Sequence, residues 1–158
     1  MARASCRQGW SRKARGLIPS GWPGSWRILP CLAGATGWAG SALARAIAKS
    51  EDMKLVSAIS RTHAGHVLGE VLGEPLLNCP IYATAGEALA HQTDVFFEFS
   101  KPEVAKSNVL AALQQGAQVV IGTSGLTDAD YSEIASVAGQ RQLGVLGLTL
   151  KWHNRLHL

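Results

Sequence analysis

The first fifty residues contain no Asp or Glu, although they hold eight of the fifteen Lys and Arg side chains of the 158-residue chain. All eleven acids lie in residues 51–158, so the overall net charge of +4 hides a basic leader and a mildly acidic remainder. Nucleic-acid binding would need that basic excess on the folded domain itself, and its absence there argues against such a partner. Long apolar runs are also missing: nothing approaches the roughly 20 residues needed to cross a bilayer, so no membrane partner is expected. Cysteine is scarce, and Cys6, Cys31 and Cys79 are too far apart for a disulfide framework or a paired metal-ligand motif. No metal site is expected, and the cysteines read as small buried or incidental residues.

With 47% apolar and 16% charged residues, the chain has the composition of a globular domain. Its length suits one domain. Residues 1–27 carry Trp10, Trp22, Trp26, scattered Gly and Pro and six basic residues, with neither helical nor strand periodicity. They read as a basic extension of uncertain origin. A transit peptide would send the chain to an organelle, but such peptides are amphipathic and Ser-rich, so the expected location is the cytoplasm.

From Ile28 onward, short apolar runs alternate with helical segments, the sequence form of βαβ units on a parallel sheet. Strands are expected at 28–33, 54–59, 95–99, 118–122 and 143–146. Helices are expected at 38–49, where Ala39, Leu43, Ala46 and Ile47 form the buried stripe, at 85–91, at 102–115 behind Pro102, and from Thr127 to Ala138 with Asp130 completing the cap. The fold class is thus α/β, a Rossmann-like doubly wound parallel sheet over 28–148, in a single domain. Two features fit poorly. Pro30 falls in a central strand, where it cannot donate a ladder hydrogen bond, and residues 149–158 form an atypical tail without the alternation.

Gly34-Ala35-Thr36-Gly37-Trp38-Ala39-Gly40 joins the first strand to the first helix. In such a turn the first glycine permits the tight reversal, the second admits phosphate to the backbone, and the third lets helix pack on strand. The N-terminus of the following helix then faces the anion with free N–H groups and its positive dipole end. At the end of the second strand stands Ser60-Arg61-Thr62, with no acid to bind an adenosine 2′-hydroxyl. Arg61 can pair with a 2′-phosphate while Ser60 or Thr62 hydrogen-bonds it, so NADPH is expected to bind better than NADH. Phe99-Ser100 and Gly122-Thr123-Ser124 close the third and fourth strands, and their backbone groups and hydroxyls can border the nicotinamide and its ribose.

Three motifs in order, Ala33-Gly34-Ala35-Thr36-Gly37-Trp38-Ala39-Gly40, Phe99-Ser100-Lys101-Pro102-Glu103 and Val120-Ile121-Gly122-Thr123-Ser124-Gly125, make residues 32–146 resemble the N-terminal domain of 4-hydroxy-tetrahydrodipicolinate reductase, also called dihydrodipicolinate reductase. The resemblance implies hydride transfer from NADPH or NADH on the route to diaminopimelate and lysine. It also implies that Gly34, Gly37 and Gly40 hold the pyrophosphate, Arg61 the adenosine side, and Gly122 and Thr123 the nicotinamide side. The family's Asn-Phe loop, His-rich motif, catalytic Lys and Ser-Gly-Thr turn have no counterpart here, and His153 and His157 lack that context. The expectation is therefore a cofactor domain without a substrate domain or catalytic residues, inactive alone, of marginal stability and lacking the family's tetramer interface. A shifted reading frame or altered gene boundary would account for both atypical ends. The alternatives are a non-catalytic NADPH-binding module and a fragment of another two-domain NADP-dependent reductase.

Overall fold

A computed structural model describes residues 27–148; the expected extension and tail lie outside the described residues, apart from Arg27. Six strands form one sheet in the order β3-β2-β1-β4-β5-β6, every neighbouring pair parallel: β1 (Pro30–Ala33), β2 (Ser57–Ile59), β3 (Ile81–Tyr82), β4 (Val95–Glu98), β5 (Gln118–Ile121) and β6 (Val145–Gly147). The helices are α1 (Trp38–Ala48), α2 (Leu68–Leu72), α3 (Ala85–Ala88), α4 (Pro102–Gln114) and α5 (Asp128–Arg141). This is the expected doubly wound α/β sheet. Parallel pairing demands crossovers that cover both faces with helices. Two apolar clusters result: Leu32, Ala44, Ile47, Leu55 and Leu68 on one face, and Phe96, Val109, Leu113, Val119 and Ile134 on the other.

Several expected boundaries move. The sheet has six strands rather than five, because the loop after β2 contains α2 and β3, too short to show a period. Regular β1–β2 pairing begins only at Cys31 opposite Ser57. The amides of Lys54 and Val56 do donate to the carbonyls of Ile28 and Pro30 (both 3.0 Å), but Pro30 has no N–H to return a bond. Pro30 is the first residue of β1, a place that tolerates proline. The buried stripe of α1 is Gly40, Ala44 and Ile47: of the expected set Ile47 is buried, Ala39 and Leu43 are half-buried, and Ala46 is exposed. Small residues occupy it because the helix lies close against the strand. Helix α5 runs three residues past Ala138 to a left-handed cap at Gln142, which delays β6 until Val145. Its start is as expected: Thr127 Oγ1 accepts from the Asp130 amide (3.2 Å), and the Asp130 carboxylate accepts from the Thr127 amide (2.9 Å).

Candidate dinucleotide site

The strand order reverses direction between β1 and β4: from β1 the chain builds outward through β2 and β3, then returns to add β4 to β6 on the other side. Crevices at such switch points, at the carboxyl ends of the strands, are where open α/β sheets bind ligands. The glycine turn lies at the end of β1 and Phe99–Ser100 at the end of β4, so the two sequence motifs flank this crevice.

Steric need explains the turn's composition. Gly34 adopts φ +73, and a Cβ there would overlap the Phe99 carbonyl. At Gly40 a Cβ would overlap the Gly34 carbonyl, so only glycine lets α1 approach β1 so closely. Gly37 is the extended N-cap of α1 and its amide donates to the Gly34 carbonyl (3.0 Å). Ala35 is fully buried and packs with the apolar cluster around Leu32. Within the described residues the N–H groups of Trp38, Ala39 and Gly40 meet no acceptor, and no side chain caps the helix. Three unpaired donors at the positive end of an eleven-residue helix favour an anion. Trp38 stands beside them, 94% exposed.

Beyond β2 the hydroxyls form a connected patch. Thr36 Oγ1 pairs with Ser60 Oγ (2.9 Å), Ser60 Oγ with Thr62 Oγ1 (3.3 Å), and Thr62 Oγ1 with His63 Nδ1 (2.9 Å). The glycine turn and the Ser60-Arg61-Thr62 segment are therefore joined directly. Arg61 is exposed and takes part in no ion pair among the described residues. Sequence reasoning missed His63, for which there was no signal beyond its nearness to Arg61.

On the other side of the crevice, the ring of Phe99 lies against Gly122 so tightly that a Cβ there would overlap it. Thr123 is buried, and its Oγ1 donates to the carbonyls of Ser100 (2.8 Å) and Glu98 (3.2 Å). Ser100 Oγ donates to Glu98 Oε1. These two hydroxyls are thus committed inward, leaving main chain and the exposed Ser124 to border the crevice. Glu98 itself is fully buried, and burial raises its pKa from the ordinary glutamate value. The sequence held a signal for it, an acid inside an apolar central strand, which the reading of β4 as simply apolar passed over. Cys31 and Cys79 are buried free thiols whose pKa values burial pushes up to about 12, so neither is a poised nucleophile. A groove of about 460 Å³ between α5 and β6, lined by Leu126, Tyr131, Ile134 and Val145, lies towards the opposite edge of the sheet. The unpaired donors, not that concavity, locate the candidate site.

The family model described as dihydrodipicolinate reductase, N-terminus, matches residues 30–147. This chain belongs to the dihydrodipicolinate reductase family. The 4-hydroxy-tetrahydrodipicolinate reductases of Bacillus cereus and of Bacillus thuringiensis (strain Al Hakam) are each 30% identical to it over 116 residues. That alignment covers 73% of this chain and 44% of either relative, so the chain spans less than half the length of the curated relatives it matches. The fold is shared with dipicolinate-bound dihydrodipicolinate reductase from Paenisporosarcina sp. TG-14, at TM-score 0.63 and 22% identity over 77% of this chain and 46% of that one. It is also shared with scyllo-inositol dehydrogenase from Lactobacillus casei with NAD(H) and scyllo-inositol, at TM-score 0.64 and 21% identity over 77% and 36%. Among the described residues, no helix is long and apolar enough to cross a membrane, and no group of three or more His, Cys, Asp or Glu could hold a metal ion.

Proposed function

We propose that residues 28–148 are the pyridine-nucleotide domain of a 4-hydroxy-tetrahydrodipicolinate reductase-like oxidoreductase of lysine and diaminopimelate biosynthesis, binding NADPH in preference to NADH. The observation that carries this reading is the set of unpaired N–H groups at Trp38, Ala39 and Gly40, opening onto the crevice at the β1–β4 switch point. The residues fit such a cofactor: a pyrophosphate would meet Gly34 to Gly40, a 2′-phosphate would meet Arg61 with Ser60 and Thr62, and the nicotinamide would lie beside Phe99, Ser100, Gly122, Thr123 and Ser124. The bound nicotinamide supplies a hydride. What the chain supplies is orientation, through free amides, an unpaired guanidinium and a main-chain wall without protruding side chains. The family's known reduction belongs to proteins of which the matched segment is 44%, and the part assigned here is cofactor binding. The location proposed with this reading is the cytoplasm.

Calorimetric titration of the chain with NADPH and NADH tests the proposal. NADPH is expected to bind more tightly, and Arg61→Ala to weaken NADPH by roughly 10- to 100-fold, the value of about 1.5–3 kcal/mol for a charge-assisted hydrogen bond, while leaving NADH nearly unchanged. Equal loss for both cofactors would remove Arg61 from the 2′-phosphate. Failure to bind either would end the reading.

A further inference from the structure

The carboxyl of Glu98 sits at the carboxyl end of the central strand β4, fully buried, where a parallel strand covered on both faces ordinarily holds an apolar side chain. Burying a carboxyl is unfavourable unless its hydrogen bonds are replaced, and this one is only half satisfied. Oε1 accepts from the Ser100 amide (2.7 Å) and from Ser100 Oγ. Oε2 has no partner, and it is the single buried side-chain nitrogen or oxygen without one among the described residues. A group kept at such cost and joined to one neighbour by two bonds acts on that neighbour.

Ser100 passes the constraint on. Its hydroxyl accepts from Asn108 Nδ2 of α4 (3.4 Å), and its carbonyl accepts from Thr123 Oγ1 (2.8 Å). The carbonyl of Glu98 accepts from the Gly122 amide (2.9 Å) and from Thr123 Oγ1 (3.2 Å). One residue therefore ties the end of β4 to the end of β5, through its side chain by way of Ser100 and through its main chain directly. The Phe99 ring fills the remaining space against Gly122.

We infer that Glu98 is a positioning residue for the nicotinamide half of the dinucleotide: its buried carboxyl fixes Ser100, and through Ser100 and Thr123 the separation of the two strand ends between which the nicotinamide lies. The inference rests on the pyridine-nucleotide reading above. Glu98 touches no cofactor in this role, and its carboxyl makes no bond to Arg61 or to Gly34 to Gly40, the adenosine and pyrophosphate subsites. Its loss therefore removes one part of the binding energy and leaves the other.

The test compares NADPH with 2′-phospho-ADP-ribose, which has the same adenosine and pyrophosphate groups and no nicotinamide, in the full chain. Wild type is expected to bind NADPH about tenfold more tightly than the fragment, a nicotinamide contribution of about 1.4 kcal/mol. Glu98→Gln keeps an acceptor for Ser100 and should keep the ratio. Glu98→Met keeps the length and removes the acceptor, and should bring the ratio close to one with the fragment affinity unchanged, which general destabilisation would not do. If circular dichroism shows that Glu98→Met does not fold, Glu98→Asp, which withdraws the carboxyl by one methylene, is read in the same way. A ratio retained in the folded acceptor-deficient variant overturns the inference. So does a wild-type ratio already near one, which leaves dinucleotide binding standing. Wild type that binds neither ligand overturns both.

Discussion

At the end of β1 the chain turns on main chain and empty space: Gly34, Gly37 and Gly40 stack carbonyl against Cα, and one side-chain bond, from Thr36 to Ser60, leads away from the turn. At the ends of β4 and β5 the chain is held by side chains: buried Glu98 and Thr123 and half-buried Ser100 and Asn108 form a hydrogen-bonded link, and Phe99 plugs the gap. The first wall of the crevice should resist changes in side-chain chemistry and fail on any added atom. The second has both sensitivities, because its links are side chains and its packing leaves no room beside Phe99.

The largest effect should come from adding atoms to the glycine turn. Gly40→Val drives two methyl groups towards the Gly34 carbonyl, a rigid backbone atom that cannot rotate away. Overpacking of this kind costs about 3 kcal/mol or more, a large share of a domain's stability. Urea titration should show loss of the cooperative transition or a strongly lowered midpoint, together with loss of NADPH binding. A near-normal midpoint would mean that the turn is not built by close approach.

On the other wall the clash is with a side chain, which can move. Gly122→Ala meets the Phe99 ring, so a smaller penalty of about 1–3 kcal/mol is expected. Phe99→Leu should recover part of it in a double-mutant cycle. Strict additivity of the two substitutions would show that Phe99 does not wedge against Gly122.

Glu98 makes the second wall sensitive to pH. Its folded-state pKa is raised, chiefly by burial and against the lowering effect of its bonds from Ser100. A carboxyl raised in the folded state contributes stability that is fully present below the unfolded value of about 4.3, and that stability is lost as pH rises through the folded value. Glu98→Gln does not titrate. Between those two values wild type should lose stability relative to this variant by at most about 1.4 kcal/mol per pH unit. Chemical denaturation at a series of pH values from 4 upward reads the difference, and a constant gap across the series would show that Glu98 ionises as easily folded as unfolded.

The same contrast decides what could be read in the sequence. Glycine spacing reports a backbone requirement directly, so the turn, its helix and its place after β1 were all legible, as were the Thr127–Asp130 cap and Pro102 at the start of α4. The link behind Phe99 was not, because the motif Phe99-Ser100-Lys101-Pro102-Glu103 names exposed and half-buried positions and begins one residue after the one that anchors it. Helix α2 spans five residues and β3 two, too few for a 3.6- or 2-residue period to stand out. The strand expected from Lys54 starts three residues before β2 does, since Lys54 donates to Ile28, ahead of β1, and Val56 to Pro30, which has no N–H to return a bond.

The finest test replaces one hydroxyl on each wall with a methyl group of the same shape. Thr123→Val removes a donor shared by two carbonyls in a buried position, and leaving carbonyls underused there should cost about 1–2 kcal/mol. Thr36→Val removes only the bond to Ser60 Oγ, which still pairs with Thr62 Oγ1, in a half-buried position where water can substitute. Its cost should be roughly 0.5 kcal/mol. Because both substitutions conserve volume, the gap between their urea midpoints measures how far each wall relies on side-chain hydrogen bonds. Equal costs would mean that the Thr36–Ser60 patch carries as much of the fold as the Glu98 link, and that the glycine turn is held from its adenosine side as well as by its own backbone.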